Sequence, residues 1–417
     1  MQLTPLRNRR FALLWTAGLV SLTGDWLLSV ALPIYVYRLT GSPAAISAII
    51  AANVAARLLV GAVAGVYVDR WDRRRVMIWA NVGLALALLP LLAVTSADRV
   101  WIAGCVAFVA ASLSQLVQPA EHALLPRLVD PAHLPAANSL NTLNNNLARL
   151  IGPALGGLAA IELGLRGVTL LDSASFLVAA GLVALIRGAY PAVREPGQER
   201  TGVVRELRDG FRLIGGTRVL RLLFIVLAVT SVGEGVMASL FAVFVSEPLH
   251  GGPGELGALM SAQAVGGIAG GLLCAWYAAR TTPVRMVGLG MALFGAIDLV
   301  IFNYPRLSTA LWPEIALFVL VGVPGAVVIA GAMTLLQTEV ADALRGRVFA
   351  VVGVVAAAGA LLGAGLAAAL TDRVGVMPML TVQGLGYLLA GIGFTVLMRG
   401  HRPSVVAEEP ALTEALV

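Results

Sequence analysis

Apolar runs of roughly twenty residues, separated by short polar stretches, alternate along almost the whole chain. A helix of about 20 residues, rising 1.5 Å per residue, is what crossing a hydrocarbon layer about 30 Å thick requires. Taken in order, the runs predict helices over 11–37, 44–68, 75–96, 100–121, 136–161, 167–187, 218–246, 255–280, 284–304, 311–338, 347–371 and 376–399. These twelve are split six and six by a polar stretch from Arg187 to Arg218. The predicted organisation is a first six-helix bundle over 1–187, a linker over 188–217 with a short amphipathic helix near Val203–Leu213, and a second bundle over 218–400. Residues 401–417, with Pro, Glu and small side chains, are expected to form a disordered tail.

Composition agrees with the pattern. The 417 residues are 59% hydrophobic and 12% charged, with a mean hydropathy of +0.88. A soluble chain of this size fills one core with far fewer apolar residues, so the fold class expected is an all-α membrane protein. A net charge of +6 and a pI near 9.9 would otherwise suggest nucleic acid, but the basic residues sit in short loops between apolar runs. No nucleic-acid partner is expected. All 29 basic residues are arginine, a bias that points to a GC-rich genome and a bacterial source.

Arginine placement also predicts orientation, because short cytoplasmic loops carry the positive excess. One set of segments holds Arg7, Arg9, Arg10, Arg70, Arg73, Arg74, Arg75, Arg127, most of the central stretch, Arg280, Arg285, Arg345, Arg347, Arg399 and Arg402. The other set holds only Arg38, Arg99, Arg166, Arg306 and Arg373. Both termini are therefore expected in the cytoplasm, with the chain in the bacterial inner membrane. Arg7, Arg9 and Arg10 ahead of an apolar run resemble a secretory leader, but Asp25 interrupts the run and no small-residue cleavage pattern follows, so a retained first helix is expected.

The two halves carry a faint repeat. Ser21-Leu22-Thr23-Gly24-Asp25 corresponds to Thr230-Ser231-Val232-Gly233-Glu234 at an offset of 209 residues, which Gly156 and Gly365 share. Between the second and third helices stands Gly65-Val66-Tyr67-Val68-Asp69-Arg70-Trp71-Asp72-Arg73-Arg74-Arg75, which also has a plainer reading as a positive-inside loop. Its order Gly-x-x-x-Asp-Arg-x-x-Arg-Arg resembles the signature loop of the major facilitator superfamily. That resemblance implies two six-helix bundles about an axis along the membrane normal, with a central site between them. It also implies a cytoplasmic latch in which Gly65, Asp69, Arg70, Arg73 and Arg74 meet the start of the eleventh helix at Arg345 and Arg347. A helix N-terminus favours a carboxylate, so the implied contact of Asp69 has a physical basis. The corresponding loop after the eighth helix, 278–285, lacks the Asp, which predicts an asymmetric latch.

Gly152-Pro153-Ala154-Leu155-Gly156-Gly157 in the fifth helix resembles the Gly-Pro-x-x-Gly-Gly element of exporters in that superfamily. Glycines on one face permit close helix approach, and Gly266, Gly267, Gly270 and Gly271 of the eighth helix are the expected opposing surface. Close packing without bearing on transport direction is the simpler reading. Together with Leu125-Pro126-Arg127-Leu128-Val129, 134–138 and 344–348, the element resembles bacterial macrolide-efflux and enterobactin-export proteins. The fourth helix lacks the arginine common in drug–proton antiporters, having Gln115, Gln118 and Glu121 near its inner end.

Charges inside the spans are the candidate chemistry. A charge at mid-membrane costs about 2.5–3.5 kcal/mol on insertion scales, so it faces protein or water and has a partner. Asp25, Arg57 and Arg149 fall at similar depth, which predicts a network around Asp25 with Arg57 or Arg149 as partner, either proton-coupling or structural. Asn138, Thr142, Asn145 and Arg149 form one polar helix face leading to Gly152 and Gly156. Glu234 has no basic neighbour in sequence and reads as a proton carrier, a contact for a cationic substrate, or a protonated interhelical hydrogen-bond donor. Asp172 and Asp298, nearer the outer ends of the sixth and ninth helices, are expected in packing or interfacial roles, and Cys105 and Cys274 in the core.

His122, His133, His250 and His401 show no ligand or triad spacing, and no Gly-Lys-Ser/Thr phosphate loop exists. No enzyme activity, cofactor or metal site is expected. The reading that results is a monomeric secondary exporter of an amphiphilic small molecule, an antibiotic or a siderophore, driven by inward proton flow. A proton-coupled nutrient importer on the same fold, or a sensor or scaffold that has kept the fold, are the alternatives.

Overall fold

The computed structural model describes residues 4–68, 71–130, 133–188, 190, 203–277, 280–340 and 342–399. Among these the regular structure is entirely helical. Span 1 covers Arg9–Thr40, span 2 Pro43–Val68, span 3 Arg73–Leu88 and span 4 Trp101–Leu124. Spans 5 and 6 are one helical run, Leu134–Ala184, broken at Gly164 into 134–163 and 165–184. Then come a linker helix, Val203–Gly216, and span 7, Arg218–Ser246. Span 8 is Pro253–Tyr277, span 9 Pro283–Asn303, span 10 Leu311–Glu339, span 11 Asp342–Val374 and span 12 Val376–Leu397.

Eleven helical segments among the described residues are long and apolar enough to cross a membrane, and the longest, Ala136–Ala184, makes two crossings. Its reversal needs no loop because Gly164 stands at φ 63° and ψ −172°, backbone that a side chain would strain. Large apolar side chains such as Trp79, Leu158, Leu272, Leu289 and Leu389 are exposed around the spans. Such a surface suits lipid, and the protein is a multi-pass membrane protein.

Odd and even spans run in opposite directions, so both described ends of the chain lie on one side, the terminal end; the other is the distal end. Polar caps fix the helix starts at the terminal end. Asp72 accepts from the Arg75 amide at 2.9 Å and, through its other oxygen, from the Tyr190 amide at 2.7 Å. One aspartate thus starts span 3 and fastens the chain that leaves span 6. Arg218 Nη2 donates to the Leu397 carbonyl at 2.9 Å, bringing the start of span 7 to the end of span 12.

The buried core shows how the bundles meet. At the distal end one apolar cluster runs through both, joining Ile34, Ile46 and Phe176 to Leu240, Leu259 and Leu380. Towards the terminal end it divides. A cluster around Phe11, Leu124 and Leu140 belongs to the first bundle, and one around Leu220, Val287 and Phe394 to the second. Among the described residues the two bundles therefore share a core on one side of the membrane and keep separate cores on the other.

Candidate functional site

The distal closure is built by spans 5 and 8. A Cβ on Gly157 would fall 2.5 Å from the Pro253 carbonyl oxygen and 3.0 Å from Gly254 Cα. A Cβ on Gly257 would run into the Pro153 carbonyl, so the two backbones are in direct apposition. The Gly-Pro element divides its work. Pro153 and Gly157 face the other bundle, whereas Gly152 and Gly156 seat span 5 against Trp26 and Leu27 of span 1. The expected glycine surface of span 8 is corrected. Gly266 and Gly270 pack on Val319, Gly322 and Val323 of span 10, within their own bundle, and Gly271 meets nothing within 4 Å. The residues that oppose span 5 are Pro253, Gly254 and Gly257, nearer the distal end.

Side chains reinforce this closure. The Tyr37 hydroxyl donates to the Glu247 carboxylate, linking the distal ends of spans 1 and 7. Neither residue is singled out by the sequence, because each sits at a helix end where polar residues are ordinary.

The carboxylates follow from the repeat. Asp25 and Glu234 each come directly after a glycine, and that glycine is pressed against the sixth helix of its own bundle. A Cβ on Gly24 would collide with Ser175 and Asp172 of span 6, and one on Gly233 with Tyr387 of span 12. The next residue is thereby turned toward the space between the bundles, and both Asp25 and Glu234 are exposed there. Gly365, the counterpart of Gly156, meets nothing within 4 Å; Gly359 and Gly363 bring span 11 onto span 7 instead.

The predicted partners are sorted by the fold. Asp25 interacts electrostatically with Arg57, whereas Arg149 acts on Glu234, across the gap between the bundles. Glu234 thus has a basic partner that sequence proximity could not reveal. No contact ion pair within 4.0 Å joins these groups among the described residues. Asp172 and Asp298, expected in packing or interfacial roles, each stand beside a candidate carboxylate. Asp172 is fully buried, interacts with Asp25 and takes a hydrogen bond from Ser175 Oγ at 3.3 Å. Asp298 is 4% exposed and interacts with Glu234.

A cavity of about 730 Å³ opens beside Glu234. Its walls come from spans 7 to 12, with Phe241, Phe294, Phe318 and Met260 supplying apolar surface and Asp298 and Gln383 polar edges. Asn146 and Arg149 are the contribution of the first bundle. The polar face carrying Asn138, Thr142, Asn145 and Arg149 is exposed as read, but interhelical bonding falls to its neighbours. Asn144 Nδ2 donates to the Trp15 carbonyl at 2.7 Å, and Asn141 Nδ2 to Glu121 Oε1 at 2.9 Å.

A polar-edged cavity walled by the second bundle and bordered by Asn146 and Arg149 of the first suits passage of a small molecule, and comparison with known proteins places the chain. Residues 1–409 match the transmembrane secretion effector family. The chain belongs to this family of major facilitator transporters. It is 29% identical over 400 residues to the multidrug efflux pump Tap of Mycobacterium tuberculosis (strain ATCC 25618 / H37Rv), with 93% of this chain and 92% of Tap covered. It is 24% identical over 384 residues to macrolide efflux protein A of Streptococcus pyogenes, with 90% and 92% covered. The crystal structure of the nucleoside transporter NupG superposes with a TM-score of 0.74 at 14% identity, covering 94% of this chain and all of NupG (100%). At that identity the likeness to NupG speaks for the major facilitator fold alone.

In this transporter the signature loop is seen in part, since Asp69 and Arg70 and the side-chain surroundings of Gly65 lie outside the described residues. The described contacts of Arg73 and Arg74 stay within the first bundle. The Arg73 amide donates to the Tyr190 carbonyl at 3.3 Å, and Arg74 donates to the carbonyls of Val183 and Ala184 at 3.3 and 2.5 Å. Both arginines thereby anchor span 6. Span 11 starts at Asp342, so Arg345 and Arg347 lie inside its first turns. Arg345 donates to the Gln337 and Val340 carbonyls at the end of span 10, and the Arg347 carbonyl lies against Gly210 of the linker helix. Cys105, expected in the core, is exposed, and Cys274 is half-buried; both are free thiols.

Proposed function

We propose that the protein exports amphiphilic small molecules, antibiotics or related drugs, from the cytoplasm by alternating access. The observation that carries this reading is the core shared at the distal end and divided at the terminal end, with accessible carboxylates at equal depth between. Asp25 and Glu234 are each the seventeenth residue of their span. The arginine distribution supports a cytoplasmic terminal end in a bacterial inner membrane, which makes the cavity accessible from inside. The efflux activities named for Tap and macrolide efflux protein A support drugs as the cargo and outward as the direction. Inward proton flow is the proposed driving force, with Asp25 and Glu234 as carriers and Arg57 and Arg149 setting their charge. The latch is proposed to close the cytoplasmic side in the other half of the cycle, bringing Gly65, Asp69 and Arg70 against span 11.

Everted vesicles from cells producing the protein test this directly. Acidifying their interior is expected to drive drug uptake that control vesicles lack, and drug addition to release protons. Uptake that ignores the gradient would remove the proton step; no uptake of any compound that a deletion strain becomes sensitive to would remove export itself.

A further inference from the structure

Glu234 and Asp298 line the cavity with Arg149 as the one basic side chain among its described lining residues. Two carboxylates are thus set against one guanidinium. Arg149 comes from span 5 of the first bundle, and the carboxylates from spans 7 and 9 of the second. Glu234 and Arg149 are both accessible from the cavity and interact, yet stay beyond 4.0 Å of contact. Asp298 is 4% exposed and its Oδ2 accepts no hydrogen bond. Gln383 Oε1 is likewise without a donor. Tyr387 cannot serve Glu234 as a donor while its hydroxyl donates to the Thr230 carbonyl at 3.1 Å.

We infer that Arg149 is a built-in counter-cation for Glu234, and that the cavity takes an amphiphilic organic cation by letting it replace Arg149. The inference rests on this cavity being the one that carries cargo. The unmatched acceptors ask for positive charge or donors, and an anion would face both carboxylates. The surrounding walls suit the rest of such a molecule. Phe241 and Phe318 stack at 5.3 Å and Phe294 lies 5.7 Å from Tyr387, so ring faces that attract cations adjoin the carboxylates. Met237, Met260 and Met291 add polarizable surface that adapts to differing shapes. A gap wider than contact distance between Glu234 and Arg149 lets a cationic group enter without first breaking a direct ion pair. Because Arg149 belongs to the opposite bundle, displacing it also removes one attraction between the bundles.

Tetraphenylphosphonium and tetraphenylborate, alike in shape and opposite in charge, test the inference on the purified full chain. Titration calorimetry in detergent, corrected with protein-free micelles, is expected to show the cation binding at least tenfold more tightly than the anion. Glu234→Gln should weaken the cation about tenfold, and Arg149→Gln should tighten it several-fold, while Arg149→Lys stays near the parent. Thermal unfolding of each variant confirms that it is folded. The inference is overturned if Arg149→Gln weakens the cation, if Glu234→Gln leaves it unchanged, or if the anion binds as well and depends on Arg149. Binding is read at equilibrium without a gradient, so its failure is distinct from a failure of export in vesicles.

Discussion

Gly24 and Gly233 each let a neighbouring helix approach so closely that the following carboxylate has one direction left to point. Any Cβ at these positions meets Asp172 and Ser175, or Tyr387. Overpacking of this kind costs about 1–3 kcal/mol. Gly233→Val is therefore expected to lower the unfolding temperature and to reduce transport together, read by thermal unfolding and vesicle uptake on one preparation. Asp25→Asn has no such packing consequence because its side chain is accessible. It should leave the unfolding temperature within a few degrees of the parent while cutting gradient-driven uptake at least tenfold; an active, equally stable variant would remove Asp25 from the coupling path. The carboxylates themselves were legible in the sequence as charges in apolar runs. Depth in the spans also offered Arg57 as a partner for Asp25, but the partner of Glu234 was not legible, since Arg149 acts on it across two bundles and 85 residues of chain, and periodicity within a helix holds no information about that relation.

Among the elements, spans 5 and 6 hinge on Gly164, whose backbone lies where other residues strain by about 1–3 kcal/mol. Gly164→Ala meets no neighbouring atom within 4 Å, so any loss of stability in unfolding experiments measures the backbone term alone. The pairing of spans 5 and 8 makes a different forecast. Gly257→Leu forces a side chain into the Pro153 carbonyl and should open the distal seam rather than unfold either bundle. A cysteine placed at Met237 in a background lacking Cys105 and Cys274 reports this, by faster labelling with a membrane-impermeant thiol reagent applied from the distal side. Unchanged labelling would mean that the seam does not control access. The Gly-Pro element was recognisable from its order, but which of its glycines face which helix was not. Glycine presents no side chain whose pattern marks a face, so the partner surface on span 8 was placed too far toward the terminal end.

At the scale of the molecule the distal closure combines the shared apolar core, the glycine seam and the bond from Tyr37 to Glu247. A solvent-exposed hydrogen bond contributes about 0.5–1.5 kcal/mol, which is roughly a two- to tenfold bias between two arrangements. Tyr37→Phe is expected to shift the population toward a distally open form, seen as increased distal labelling at the same Met237 cysteine with little change in stability. If labelling stays the same, the apolar core alone holds the closure.

What the sequence determined by itself is the class of architecture: lengths of apolar runs set twelve crossings, and charge in loops argued their direction, because crossing a bilayer is a demand each segment meets alone. The break between spans 5 and 6 and the linker helix follow from local residues in the same way. Which charges face one another, which glycines seal the bundles and where the cavity lies were decided only by the tertiary structure. Those relations join residues far apart in the chain, and they arise from how two bundles, each able to satisfy its own backbone, come together at one end and part at the other.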